Sequence, residues 1–300
     1  MDSTYDPLIR SWTLYLAAAN KAPKTIEAYG TAARLLAAHL GARGRGDGWE
    51  HVVTADVHLF LQEQLTTHAP STTHQRYRGL VQWFKWLLAE GEIRRDPMTG
   101  VAPPEVPEQP VDVPASDVVA KLVRGLAGTD FESRRDLAIF SLLVDTGMRR
   151  AEIAGIEVEH LDLDHREVEV LGKGRRARTL RYGRQTALAL DRYLRIRAKH
   201  RMAGRPELWL AVKNRPPMKA NGIYQMVRRR GEAAGLDGLH PHQLRHLFAH
   251  LWLDKGGSEG HLMAIAGWRS RSMVTRYADS TRAARARDEA DRLGILDRLT

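Results

Sequence analysis

Apolar positions recur at helical intervals through the first hundred residues. Ile26, Tyr29, Ala33, Leu36 and Leu40 follow one another at spacings of 3, 4, 3 and 4. That spacing places them on one face of a helix beginning after Pro23 and stopping at Gly41. The same pattern predicts helices over Leu8–Ala19, Ala55–Thr67 and Thr72–Glu90, the last with Ser71 as N-cap and Gly91 just past its end. The aromatic run VQWFKWLLAE (81–90) reads as core. The stretch GARGRGDG (41–48) follows a helix and precedes no strand, so it is a loop and not a dinucleotide-binding turn.

Five prolines between Pro103 and Pro114 cannot sustain a helix or a central strand. They mark residues 103–114 as an extended linker between a helical domain at 1–102 and a second domain at 115–300. In the second domain, Asp136–Val144 reads as a strongly apolar helix. Alternation then takes over between residues 158 and 182, with Leu161, Leu163, Val168 and Val170 apolar, which predicts a small antiparallel sheet with its tightest turn at Gly172-Lys173-Gly174. Helical periodicity returns from Arg184 onward, broken near Pro206, Pro216–Pro217 and Gly235–Pro241. The expected fold is mostly α with a small antiparallel β-sheet: a helical N-terminal domain followed by a mixed α/β domain.

A length of 300 residues agrees with two domains. The absence of cysteine excludes disulfides, thiolate zinc sites and thiol nucleophiles, so any nucleophile is an oxygen or an amine. The acidic N-terminus lacks an apolar signal core and no apolar run approaches the ~20 residues that span a bilayer, so a cytoplasmic protein with no membrane partner is expected.

Formal charge is +10, and its distribution is uneven. Residues 1–105 hold eleven basic and eleven acidic side chains, whereas residues 173–230 hold eighteen basic ones against only Asp191 and Glu207. A solvated face usually mixes signs, so this stretch points to a polyanion. Arg175, Arg176, Arg178, Arg228, Arg229 and Arg230 are the candidates for contact with a nucleic acid or another phosphate-rich partner.

Four separated segments of the second domain carry residues suited to chemistry on a phosphate: DTGMRRAEIAGI (145–156), LGKGRRARTL (171–180), HPHQLRHLFAHLW (240–252) and IAGWRSRSMVTRYAD (265–279). Their order and spacing resemble the tyrosine recombinase, or phage integrase, family, in particular its two-domain Xer-type and Cre-type members. The segments KTIEAYGTAARLLAAHL (24–40) and IRRDPMTGV (93–101) resemble the helical core-binding domain of the same family, less specifically. The resemblance maps the catalytic set onto Arg149, Lys173, His242, Arg245, Trp268 and Tyr277, with Glu152 and His246 in support. Trp268 departs from the histidine found in most members, though an indole N–H can still donate to a phosphate oxygen.

The residue types agree with that chemistry. Cleaving a phosphodiester needs a nucleophile, charge stabilisation on the non-bridging oxygens and a proton for the departing 5′ oxygen. Tyr277 would attack, Arg149 and Arg245 would fork onto the phosphate, Lys173 would be the acid, and His242 would assist as hydrogen-bond partner or base. The blander readings are a core aromatic for Trp268, a surface ion-pair partner for Glu152 and structural roles for His246 and His250. His240, His242 and His246 have no acidic or thiolate ligand beside them, so neither a metal nor any other cofactor is expected.

The resemblance implies a site-specific recombinase acting on double-stranded DNA sites through a 3′-phosphotyrosine intermediate. It implies a homo-tetramer on two DNA sites, with the two domains of each copy clamping the duplex. The tail 281–300, with Leu293, Ile295, Leu296 and Leu299, is expected to form a helix docking on a neighbouring subunit, or else on its own domain. A type IB topoisomerase-like enzyme and a catalytically inactive DNA-binding protein are the alternatives.

Overall fold

The computed structural model describes residues 6–46, 48–107, 112–172, 177–212, 215–268, 270–271 and 273–275. The chain divides into two compact units, Met1–Gln109 and Pro110–Thr300.

The first unit is helical: α1 (Asp6–Ala18), α2 (Pro23–Ala42), α3 (Thr54–Thr67) and α4 (Pro70–Ala89). Proline occupies the first turn of α2 and of α4, where its missing N–H costs nothing. That is why α4 starts earlier than expected, with Ala69 and not Ser71 at its cap. Asp56 closes the start of α3 by accepting from the Val53 N–H at 2.9 Å, and also holds Arg45 at 3.0 Å. The core is aromatic. Trp83 lies 4.9 Å from Trp12 and 5.0 Å from Trp49, measured between ring centroids, and Phe60, Phe84, Leu36 and Leu87 are buried around them. Such ring pairs add about 1 kcal/mol each beyond their burial.

The second unit opens with α5 (Ser116–Gly125), an element beyond those expected from the sequence, and α6 (Phe131–Thr146). Asp130 caps α6 by accepting from the Ser133 N–H at 3.0 Å, which starts the helix five residues ahead of the apolar run. Ala138, Ile139, Phe140, Leu142 and Leu143 are buried, so α6 is the central helix of this unit, packed by α8 (Arg184–Arg197) and α10 (Pro241–Asp254). The short α7 (Arg150–Ala154) follows.

The sheet is three-stranded and antiparallel in the order β1 (Leu161–Asp162), β2 (Glu167–Leu171), β3 (Ala177–Arg181). Val168 pairs with Leu180, and with Val170 they form its buried face. The turn residues Lys173 and Gly174 lie outside the described residues, as does the tail 281–300. α9 (Ala220–Ala233) and α11 (Glu259–Ala266) complete the unit, and Phe248, Leu253, Leu262, Ala266, Trp268 and Val274 form a small second core beside the main one.

Much of the basic charge does internal work. Arg197 is buried and donates to the carbonyls of Ala203, Arg205, Glu207 and Leu208 at 2.7–3.0 Å, which fixes the loop after α8. Among the described residues, no helix is long and apolar enough to cross a membrane.

Candidate active site

The site begins where α6 ends. Gly147 closes that helix in the left-handed region at φ +58°, and a Cβ there would stand 2.2 Å from Cδ1 of Phe248. Both the backbone and the packing therefore require glycine. This sharp exit turns the next residues back as the start of α7, with Arg149 as N-cap in an extended conformation.

Glu152, one turn into α7, accepts from the Arg149 N–H at 2.7 Å and from Arg149 Nη1 at 2.9 Å. It is only 5% exposed. Burial alone would raise its pKa, but the hydrogen bonds and charge of Arg178 and Arg149 outweigh that and hold it below the ordinary carboxylate value. Glu152 is thus a buried anion between arginines, and not a surface ion-pair partner.

α10 supplies the second arginine. His240 caps that helix, its Nδ1 accepting from the Gln243 N–H at 3.3 Å, while Gln243 Oε1 accepts from the His240 N–H at 3.0 Å. Gln243 also donates to Asp112 at 2.6 Å. Arg245 is buried and donates to the Gly147 carbonyl through Nη1 and the Ala266 carbonyl through Nη2, each at 2.7 Å. Its guanidinium carbon lies 5.1 Å from the Trp268 ring centroid. Trp268 is itself buried, so the core reading and a place beside the arginine hold together.

His242 and His246 stand one turn apart on α10 with ring centroids 4.3 Å apart. Partial burial, followed by the nearby Arg245, His240 and Arg149, lowers the pKa of His242. Burial, followed by His242, His240 and Arg245, pushes His246 down to about 4, with Asp112 opposing. Both imidazoles are therefore neutral at pH 7, and the same lowering makes His246 a weak base.

The structure brings Arg149, Glu152, His242, Arg245, His246 and Trp268 together. Lys173, Arg175, Arg176 and Tyr277 lie outside the described residues. The described arginines among those expected to face DNA have carboxylate partners. Arg178 turns inward, with its two terminal nitrogens on the two oxygens of Glu152 at 2.9 and 2.8 Å and its side chain 18% exposed. Arg230 is drawn to fully buried Asp136 at 2.8 Å. Arg228 and Arg229 keep half of their surface but pair with Glu232 and Glu132. Of these partners Glu232 is one helical turn away, whereas Glu132 and Asp136 are brought in by the fold from α6.

Sequence reasoning missed several supports of the site. Asp145 holds the start of α8 through the Gly183 N–H and the Thr186 hydroxyl. Tyr224 lies under Arg150 at 5.2 Å and near the His240 ring at 6.4 Å. Their partners are 16 to 74 residues away in sequence, so no local pattern points to them.

The Phage integrase family description matches residues 115–284, more than half of the chain, and the description of a phage integrase N-terminal SAM-like domain matches residues 9–91. The chain is 36% identical over 172 residues to a tyrosine recombinase XerC of Pseudomonas entomophila (strain L48), a match spanning 57% of this chain and 56% of that relative. It is 29% identical over 232 residues to the tyrosine recombinase XerC of Salmonella typhi, spanning 76% of each. The solved Tn1549 transposon integrase in complex with transposon right end DNA is similar in fold, with TM-score 0.74 and 18% identity, over 96% of this chain and 99% of that one.

Proposed function

The chain belongs to the phage integrase family and is a tyrosine recombinase, and from that premise we propose how its residues divide the work of cutting and rejoining DNA. The observation that carries the reading is the convergence of Arg149 and Arg245 beside a neutral His242, at the mouth of a helix end that faces both guanidiniums. Two permanent cations with forked donors suit the non-bridging oxygens of one phosphate.

Tyr277 attacks the phosphorus, a bond forms between its oxygen and phosphorus, and the bond from phosphorus to the 5′ oxygen breaks. The tyrosine proton passes to neutral His242, and Lys173 protonates the leaving 5′ oxygen. The phosphotyrosine keeps the energy of the broken bond, so a 5′ hydroxyl from another strand reverses the step without a nucleotide cofactor. Arg149 and Arg245 stabilise the charge that grows on the phosphate in both directions.

Each copy carries one Tyr277, and exchanging two duplexes requires four strand cuts. Four copies on two DNA sites are therefore the working assembly, with the apolar tail 281–300 as the link between neighbours. The work takes place where bacterial DNA is, in the cytoplasm.

The test is a suicide duplex nicked beside the cleavage position, its sequence first selected from a random pool by the wild-type chain. The wild-type chain should become covalently attached through a 3′ phosphate on Tyr277. Tyr277→Phe should bind the same duplex with unchanged affinity and form no adduct. An adduct mapped to Tyr224 or Tyr182, or none with the wild-type chain, would sink the reading.

A further inference from the structure

Three consecutive carbonyls at the end of α11 each accept from a different arginine. Ile265 O receives Nε of Arg178 at 2.9 Å, Ala266 O receives Nη2 of Arg245 at 2.7 Å, and Gly267 O receives Nη2 of Arg149 at 3.0 Å. A helix leaves its last carbonyls without internal donors and carries partial negative charge there, so this terminus is suited to gathering cations. The three arginines come from β3, α10 and the cap of α7.

Arg178 does the most in this arrangement. While its Nε holds the helix end, its two terminal nitrogens grip both oxygens of Glu152. Those same oxygens hold the N–H and Nη1 of Arg149. The Arg149 guanidinium is therefore fixed at two points, Gly267 O and Glu152 Oε1, and Arg178 binds the elements carrying both. Gly267 adopts φ +63°, which leaves its carbonyl aimed at Arg149, and a Cβ there would meet Nη1 of Arg149 at 3.3 Å.

We infer that Arg178 is a positioning residue for strand cleavage: it locks Glu152 against the end of α11, so fixes the aim of Arg149, and makes no contact with DNA. This rests on the functional reading above. Only arginine can do it, because a planar fork spans two carboxylate oxygens and a carbonyl at once, whereas a lysine ammonium sits at one point.

The test uses the full chain and the nicked duplex in two forms, one with an ordinary scissile phosphate and one with a methylphosphonate there. The methyl group removes the negative charge that Arg149 offsets, so a fault in Arg149 matters less on that substrate. Arg178→Gln and Arg178→Lys should keep DNA affinity within about twofold and leave its salt dependence unchanged. Single-turnover cleavage of ordinary DNA should slow by about 100-fold, as expected for a misplaced binding group. The methylphosphonate should restore most of that loss, as it should for Arg149→Ala, and the variant lacking both arginines should be no slower than Arg149→Ala alone.

Arg178→Lys keeps a charge beside Glu152 and guards against simple unfolding, which melting curves would register. Weaker binding with a shallower salt slope would make Arg178 a DNA contact and overturn the inference. So would an equal slowing on both substrates with additive losses in the double variant, or cleavage at the wild-type rate. A wild-type chain that forms no adduct would overturn the functional reading and this inference with it, whereas the other outcomes overturn the inference alone.

Discussion

Arg149, Arg178 and Arg245 are scattered over 97 residues of sequence and meet at one helix end. Arg228, Arg229 and Arg230 are consecutive, lie on the last turns of α9, and are distributed among Glu232, Glu132 and Asp136. The scattered set shares one helix end and one buried carboxylate, Glu152, whereas the contiguous set is divided among three carboxylates. What decides the difference is the acceptor beside each guanidinium. Each arginine of the first set donates to a backbone carbonyl at the end of α11, and among the described residues a single carboxylate, Glu152, stands against the three, whereas the second set meets three carboxylates.

The sharpest way to break this contrast is Arg245→Ala. It removes a buried cation and leaves the carbonyls of Gly147 and Ala266 without these donors. Cleavage in a single turnover should fall by about 1000-fold, and unfolding in urea should show a loss of about 1–3 kcal/mol. Cleavage reduced less than tenfold would remove Arg245 from the reaction.

Arg230→Ala should act in the opposite sense. Asp136 is fully buried and keeps Arg135 at 2.7 Å and Arg229 at 3.7 Å, so losing Arg230 at 2.8 Å should destabilise the chain by about 1–3 kcal/mol. Cleavage per folded molecule should stay within twofold of wild type. A tenfold drop without destabilisation would return Arg230 to the DNA surface.

Acid should weaken the fold through the histidines of the site. His246 is held at about 4, below its ordinary 6.5, so below that ordinary value the unfolded chain binds more protons than the folded one. Its contribution is therefore complete above about pH 6.5 and lost as pH falls toward 4, on the order of 2 kcal/mol after screening by solvent. Glu152, also held low, adds a loss in the same direction below its ordinary 4.5. His246→Gln should flatten the pH dependence of urea unfolding between pH 6.5 and 4. An unchanged slope would place the titration elsewhere.

The smallest effect belongs to Arg228→Gln. Its partner Glu232 is as exposed as it is, so the melting temperature should not move measurably. The salt dependence of DNA binding should also stay as in wild type, and a shallower slope would show that Arg228 leaves Glu232 for a phosphate.

The helices of the first unit were legible because one apolar face repeats through each of them, and α2 runs nearly where Ile26, Tyr29, Ala33, Leu36 and Leu40 place it. The sheet was legible from Val168 and Val170. α5 carries the same signal in Val118, Val119, Leu122 and Val123, ahead of any element of the second unit expected from the sequence, whereas the early start of α6 hides behind the polar turn that Asp130 caps.

At the site, the sequence alone brought Arg149, Glu152, His242 and Arg245 forward, through the order and spacing of the segments that carry them. Local chemistry sets a left-handed turn at Gly147 and a cap at His240. Only the tertiary structure decided that Arg178 faces inward to Glu152 and that the end of α11 collects three guanidiniums. Backbone carbonyls carry no side-chain signature, and every residue possesses one. Which three lie free at a helix end, and which arginines reach them across 21 to 118 residues, depends on packing that local pattern does not encode.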